Sequence, residues 1–337
     1  MTGRVGVVAI GRNEGERLAS CLASALASQC RVVYVDSGSS DGSVELARRL
    51  GALVVELPAS LPFTAARARN AGFEALGAAE PDLELVQFVD GDCELDRGWI
   101  ARAASYLAGH ARTAAVCGRR RERYRKASPY HRVIDLEWDT PVGSAAEFGG
   151  DVMIRSEVFS AVGGYDPSLI AGEDPDLAWR IRAAGWELVR LPHEMTLHDA
   201  AMSHFSQWWR RSIRSGYAYA EAAWRHRRGP ERHQVRETLS ILAWGLALPV
   251  LALLLAPATR GLSLALLVAL LASLSLRIWF RRIIHGDSPF DSALYATACV
   301  LGKFAESWGA LRFAVARGLL GGGNRIIEYK EMPRTRR

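Results

Sequence analysis

The chain has 337 residues, of which 23% are charged and 49% hydrophobic, and 42 basic against 36 acidic side chains leave a formal charge of +6. That balance excludes global disorder and fibrous repeats and leaves room for one large α/β domain with an appendage. The mild positive charge suits anionic lipid, phosphorylated substrates or nucleic acid and selects none of them. Five scattered cysteines (Cys21, Cys30, Cys93, Cys117, Cys299) show no Cys-x-x-Cys spacing. A zinc ribbon or a disulfide framework is therefore not expected, and a reducing compartment is.

In chain order, residues 5–10 form a short apolar run that ends at Gly11-Arg12-Asn13-Glu14. It is too brief for a signal-peptide core and reads as a strand, so no secretion signal and a cytoplasmic catalytic part are expected. An alanine-rich helix follows over 16–28, then a strand over 31–35 ending at Asp36, a helix over 43–50, an extended run over 53–57 and a helix over 64–75. Residues 85–89 make a further buried strand ending at Asp90, and a helix is expected over 177–184. The alternation predicts a mostly parallel α/β sheet. Ligands of such sheets bind outside the carboxyl ends of the strands. The polar clusters 11–14, 36–43 and 90–94 should therefore converge on one rim.

Composition changes after about residue 236, which predicts two domains, 1–230 and 231–337. Residues 238–256 carry no charge and reach roughly 28 Å as a helix, close to the ~30 Å hydrocarbon core of a bilayer. A second apolar run, 261–276 extending to 280, follows a loop of residues 257–260. Arg225, Arg227, Arg228, Arg232 and Arg236 flank the pair on one side and Arg277, Arg281 and Arg282 on the other. The positive-inside rule then places both flanks in the cytoplasm, at the inner or plasma membrane. The alternative is a buried helical hairpin of a soluble domain. Residues 292–320 are apolar but carry Lys303, Glu306, Arg312 and Arg317, the pattern of an interfacial amphipathic helix. Residues 333–337 read as a basic tail.

Several constellations bear on chemistry. Asp90-Gly91-Asp92 closes a buried strand, and paired carboxylates there suit a hard divalent cation that neutralises a diphosphate; ordinary turn chemistry gives the same pattern. The Gly-rich turn from Asp36 to Ser43 exposes N–H groups and hydroxyls that suit a ribose or base edge, with Asp36 accepting from a base N–H. As a plain strand–helix loop it would use Asp41 or Ser43 as N-cap. Arg67 and Asn70 share a helix face and suit bound phosphates, or simply solvent. Gly172-Glu173-Asp174-Pro175-Asp176 offers a general base, or an N-cap at Asp174 or Asp176. His198, in competition with His193 and His204, is a candidate third metal ligand.

Taken together, Asn13-Glu14, the 36–43 turn, Ala68-Arg69-Asn70, Asp90-Gly91-Asp92, Gly149-Gly150-Asp151, Gly163-Gly164-Tyr165-Asp166 and Gly172-Glu173-Asp174 resemble, in this order, a family 2 glycosyltransferase with the GT-A fold. The resemblance covers about residues 4–220. It implies a Rossmann-like, mostly parallel sheet flanked by helices, followed here by the helical membrane hairpin. It further implies a nucleotide-diphosphate-sugar donor (a UDP-sugar is expected), a Mg2+ or Mn2+ ion and inversion at the anomeric carbon. By the same resemblance Asp36 and Glu14 lie at base and ribose, with Asn13, Ser37, Arg67, Asn70, Asp90 and Gly91 along the donor. Asp90, Asp92 and His198 lie at the metal. Asp174 with Glu173 activates the acceptor hydroxyl, and Gly150 and Asp151 lie toward the acceptor. Charge developing on a diphosphate leaving group is stabilised by a cation and nearby arginines, and inversion needs one base.

Polymerising relatives carry Gln-x-x-Arg-Trp and many spans. Here the stretch is Gln207-Trp208-Trp209-Arg210-Arg211, with two spans. This points to transfer of one sugar to a lipid-linked or other membrane-held acceptor in envelope or exopolysaccharide synthesis. Trp208, Trp209, Arg210, Arg211 and Arg214 suit an interfacial helix at lipid headgroups, or a helix that packs its tryptophans inward. The basic run 119–126 suits an anionic lipid surface or a diphosphate-linked acceptor, or is a solvated loop; no nucleic-acid fold signature accompanies it, and no nucleic-acid partner is expected. The reading from another class is a non-catalytic GT-A-like nucleotide-sugar-binding scaffold at the membrane, against which the intact acidic motifs stand. A nucleotidyltransferase would release diphosphate instead of a nucleoside diphosphate.

Overall fold

The computed structural model describes residues 4–228 and 232–319. They fall into two compact units, residues 4–124 with 137–200 and residues 125–136 with 201–319. The division comes at residue 200 and takes 125–136 along, whereas the composition change suggested residue 230. The 230/231 boundary, residue 320 and the basic tail 333–337 lie outside the described residues.

The first unit opens with the expected alternation. Strands β1 (Val5–Gly11), β2 (Arg31–Asp36), β3 (Leu53–Glu56) and β4 (Leu85–Asp90) are separated by helices α1 (Glu16–Leu26), α2 (Ser43–Leu50) and α3 (Ala65–Ala79). These four strands pair in parallel in the order β3-β2-β1-β4. Val7, Val8, Val33, Phe88 and Val89 are fully buried, as β-branched and aromatic runs covered by helices on both faces must be.

Beyond β4 come β5 (Cys93–Leu95), α4 (Trp99–Gly109), β6 (Thr113–Glu122), α5 (Pro129–Glu137), β7 (Gly143–Ser144), β8 (Val152–Arg155), α6 (Ser156–Ala161), α7 (Glu173–Ala183) and β9 (Glu187–His198). Here the sheet turns mixed. β8 runs antiparallel to β4 and β6, β6 is parallel to β9, and β5 and β7 run antiparallel to β9.

Two starts differ from expectation. Helix α7 begins at Glu173, not at 177, behind Gly172 in a left-handed turn at φ 79°. Pro175 fits there because the first N–H groups of a helix have no partner to lose. Asp174 and Asp176 therefore lie in the first turn and are not its N-cap. Gly42 is the N-cap of α2, and Asp41 instead accepts from the Ser43 N–H at 3.1 Å and the Ser43 hydroxyl at 2.6 Å.

The second unit contains most of α5, α8 (Phe205–His226), α9 (Val235–Leu242), α10 (Leu248–Leu255), α11 (Leu262–His285) and α12 (Pro289–Leu319). A π-helical turn, Ala243–Ala247, joins α9 to α10. The continuous helix Val235–Leu255 and α11 are both long and apolar enough to cross a membrane. Helix α12 buries Ala305, Ala310 and Phe313 against α8. Gly216 on α8 lies on the backbone of Glu306, and Gly309 on α12 lies on that of Ile213, too close for any side chain between them. Gly245 of the π-helical turn meets Lys303 in the same way, and its carbonyl accepts from the Ser307 hydroxyl at 3.2 Å. The face of α12 expected to lie open at an interface is thus partly covered by α8, while Leu301, Trp308 and Val315 stay exposed. Asp291 at the start of α12 is held by Arg125 at 2.9 Å and Arg132 at 3.1 Å.

Candidate active site

The three polar clusters do converge. In the β1 ladder Gly11 pairs with Asp36 and Ile10 with Asp90. The Ser37 N–H donates to the Gly11 carbonyl at 3.0 Å and the Gly91 N–H to that of Ile10 at 2.7 Å. Asn13 bridges the loops: its N–H donates to Ser39 Oγ at 2.9 Å, and its Oδ1 accepts from the Ser40 N–H at 2.8 Å. Glu14 is buried and pairs with Arg17 at 2.8 Å.

Asp36 is the pivot of the turn. It accepts from the Tyr34 hydroxyl at 2.9 Å and from the N–H groups of Gly38 and Ser39 at 2.9 and 2.7 Å. Burial and then the Asp36 charge push the Tyr34 phenol far above its usual range, so it stays a donor. Phe63 lies over Gly38, with Arg12 stacked on the ring at 5.5 Å.

At the Asp90 end a buried arginine joins the acidic motifs. Arg69 Nη2 meets Asp90 Oδ1 at 2.9 Å, and its Nη1 meets Glu173 at 3.0 Å and Asp174 at 3.1 Å. The guanidinium also lies over the Tyr165 ring, 5.1 Å from its centre. Arg120 takes the other Asp90 oxygen at 3.2 Å. A side chain at position 150 would strike both Arg69 and Asp90, which is why glycine stands there. Burial pushes the Asp174 carboxyl up to about 8; Arg69 pulls it down and Glu173 and Asp90 push it up.

Asp92 and His198 form the second focus. Cys93 pairs opposite His198 in the β5–β9 ladder, which sets the neighbouring Asp92 beside the imidazole. Asp92 Oδ2 is 3.5 Å from His198 Nε2, and both side chains are buried. Burial pulls the imidazole pKa down, but Asp92 and Glu122 outweigh it and the net shift is upward. An oxygen and a nitrogen donor aimed at one point, with Cys93 Sγ alongside, fit a Mn2+-type cation. Asp90 is held by two guanidiniums and, with the same Cys93 and with Asp151, makes a second group of possible ligands.

Other expected residues have structural duties. Asp151 has a fully buried side chain. Its Oδ1 accepts from the Asp90 N–H at 3.0 Å and its Oδ2 from the Thr196 hydroxyl at 2.6 Å, so it supports the backbone of Asp90. Asn70 latches both the N–H and the carbonyl of Tyr165, at 2.9 and 2.7 Å. Arg67 donates to the carbonyls of Leu61 and Pro62 on the surface. In the second unit Trp208 is buried and stacked near Tyr130, 6.4 Å between ring centres, so it does not face lipid; Trp209 is half-buried and Arg210 exposed. Gln207 caps α8 by accepting from the His204 N–H at 2.9 Å.

Sequence reasoning quoted Arg69 in a motif and Arg120 and Glu122 in the basic run 119–126 without placing them in the site, and it missed Trp138. Arg69 had a signal: on α3 it shares a buried stripe with Gly72 and Leu76, and an arginine on an apolar stripe needs buried carboxylates to pair with. Trp138 stands over Arg120 at 4.6 Å and edge-on to His198 at 4.6 Å, a meeting no local pattern announces.

The family model for glycosyl transferase family 2 matches residues 7–161, and that for the N-terminal domain of galactosyltransferase matches residues 129–204. The chain is 30% identical over 174 residues to the succinoglycan biosynthesis protein ExoA of Rhizobium meliloti, covering 47% of this chain and 50% of that protein. It is 26% identical over 202 residues to glycosyltransferase AglE of Haloferax volcanii, covering 56% and 64%. The chain thus spans about half to two thirds of the length of these curated relatives. The fold is that of a mannosyltransferase from Pyrobaculum calidifontis solved with GDP-Man and Mn2+, at a TM-score of 0.66, 20% identity, and coverage of 93% of this chain and 88% of that one. Residues 7–161 thus match the model of glycosyl transferase family 2, and the fold is GT-A.

Proposed function

We propose that the protein is an inverting glycosyltransferase. It moves one sugar from a nucleotide-diphosphate-sugar, with a UDP-sugar as the first donor to test, to a lipid-linked or other membrane-held acceptor in envelope or exopolysaccharide synthesis. The observation that carries this reading is the buried Arg69 clamp, which joins the half-buried Asp90 at the donor rim to Glu173 and Asp174 in one cluster.

The nucleoside occupies the rim formed by residues 11–15 and 36–43, whose shape Asp36 sets through its bonds to the turn N–H groups. Asp92 and His198 hold Mg2+ or Mn2+, which when bound neutralises charge on the diphosphate leaving group. Asp174 takes the proton from the acceptor hydroxyl. A carboxyl lifted to about 8 by burial is a stronger base than an exposed aspartate and is matched to a near-neutral working pH. Glu173 shares the same guanidinium and keeps Asp174 in place. With attack from the acceptor side, no covalent sugar–enzyme intermediate is needed. The hairpin of Val235–Leu255 and Leu262–His285 spans the membrane with its arginine-rich flanks on the cytoplasmic side, where nucleotide sugars are held.

The test offers the detergent-purified protein a panel of nucleotide sugars with Mg2+ or Mn2+ and follows nucleoside diphosphate release. Release from one donor, absent in Asp92→Asn, supports the reading. Donor binding with no turnover in the presence of membrane acceptors would make the protein a scaffold instead.

A further inference from the structure

Glu122 has no part in the activity described so far. In the sequence it is the single acid in the basic run 119–126. The fold encloses its side chain completely. A buried carboxylate costs several kcal/mol unless hydrogen bonds replace its water, and here they do. Its Oε1 accepts from the Tyr124 N–H at 3.2 Å, and its Oε2 accepts from the Ala200 N–H at 3.1 Å and faces His198 Nδ1 at 3.1 Å. The β6–β9 register pairs Glu122 with His198 directly.

Two backbone donors define this carboxylate as an acceptor, so the ring nitrogen that faces it carries the hydrogen. In the neutral ring the other nitrogen, Nε2, then keeps its lone pair, and it faces Asp92 Oδ2, 3.5 Å away. The Trp138 ring packs edge-on against the imidazole at an interplanar angle of 85°. Glu122 thus favours one tautomer of the imidazole, and Trp138 packs against its ring. A hydrogen bond from the second ring nitrogen to a carboxylate is what orients histidine ligands and raises their basicity.

We propose that Glu122 is the positioning residue of the cation site: it holds His198 with Nδ1–H donated inward, so that Nε2 is presented beside Asp92. The proposal rests on reading Asp92 and His198 as the ligands.

The experiment measures Mn2+ binding to the full-length protein in detergent without any donor, by the loss of the free Mn2+ resonance signal and by nitrogen coupling to the bound ion. Wild type should bind with coupling to one imidazole nitrogen. Glu122→Gln keeps the volume but sets an amide against backbone N–H groups; it should weaken Mn2+ binding by roughly 10–100-fold and reduce the nitrogen coupling. In a His198→Ala background the same change should leave the residual Mn2+ binding unaltered, because Glu122 acts through that ring; a general structural role would show there as a further drop of the thermal midpoint in chelator. Should Glu122→Gln not fold, judged by thermal unfolding in chelator, Glu122→Asp is read in the same way. Loss of binding in Asp92→Asn and His198→Ala with wild-type binding in the Glu122 variant overturns the proposal alone. Wild-type binding in Asp92→Asn and His198→Ala overturns the ligand reading beneath it.

Discussion

The two units use apolar residues in opposite ways. In the first, the strand residues of β1, β2 and β4 are buried and the polar residues gather at the strand ends. In the second, Leu254 is 73% exposed and Ile284 85% exposed, and α11 buries no residue at all. Glycine use differs in parallel. Gly38, Gly42 and Gly172 take left-handed turns that shape the rim, whereas Gly216, Gly245 and Gly309 let helix backbones touch. The first unit is organised by burial from water. The second leaves its apolar surface outward and gains its internal contacts from close backbone approach, as helices do where lipid replaces water.

The contrast is broken most strongly at the rim. Asp174→Asn should lower kcat by about 10²–10⁴-fold, the usual worth of a general base, with donor affinity kept and vesicle flotation unchanged. Retained turnover would remove Asp174 from the mechanism. The opposite separation is expected from Leu254→Arg, which carries about 3 kcal/mol of insertion cost. It should reduce recovery in floated vesicles while leaving detergent-solubilised donor hydrolysis near wild type. Unchanged flotation would mean that the hairpin is not a membrane anchor. Gly216→Leu tests the internal packing of the second unit. Forcing a side chain against Glu306 should cost at least about 1–3 kcal/mol, read as a lower thermal midpoint; an unchanged midpoint would show that α8 and α12 are not in contact there.

The smallest effect is in pH. With Asp174 raised from 3.8 to about 8, kcat/KM should fall as pH drops below about 8, and Asp174→Asn should flatten that limb. Its stability contribution runs the other way. The folded form keeps a proton that the unfolded chain has lost, so stability from this group is full below 3.8 and is lost as pH rises through about 8. Asp174→Asn should therefore reduce the decline of the thermal midpoint between those values.

Much of the first half was legible in the sequence. Short β-branched runs announced β1, β2 and β4, the last two ending in Asp36 and Asp90, and parallel pairing brought their ends to one rim. The far half was not, because β6 is rich in arginine and the antiparallel β8 and β5 are too short to carry a period. Around the site, the sequence reading led to Asp92, Asp174 and His198 but gave the donor-side role to Arg67 and not to Arg69, since only burial tells these two arginines, two positions apart on α3, from each other. Asp151 and Asn70 are polar because they satisfy the backbone of Asp90 and Tyr165, a reason that lies wholly within the fold.

Local order was thus set by the sequence itself: strand and helix alternation, the turn glycines and the apolar hairpin all follow from short-range periodicity and backbone freedom. What the tertiary structure alone decided was which charges meet. Arg69 with Asp90 and Asp174, and Glu122 with His198, are pairs separated by 21, 105 and 76 positions. Each is stable because burial removes water and leaves the opposite charge or an N–H as the available partner. That selection depends on three-dimensional register, which no local pattern encodes.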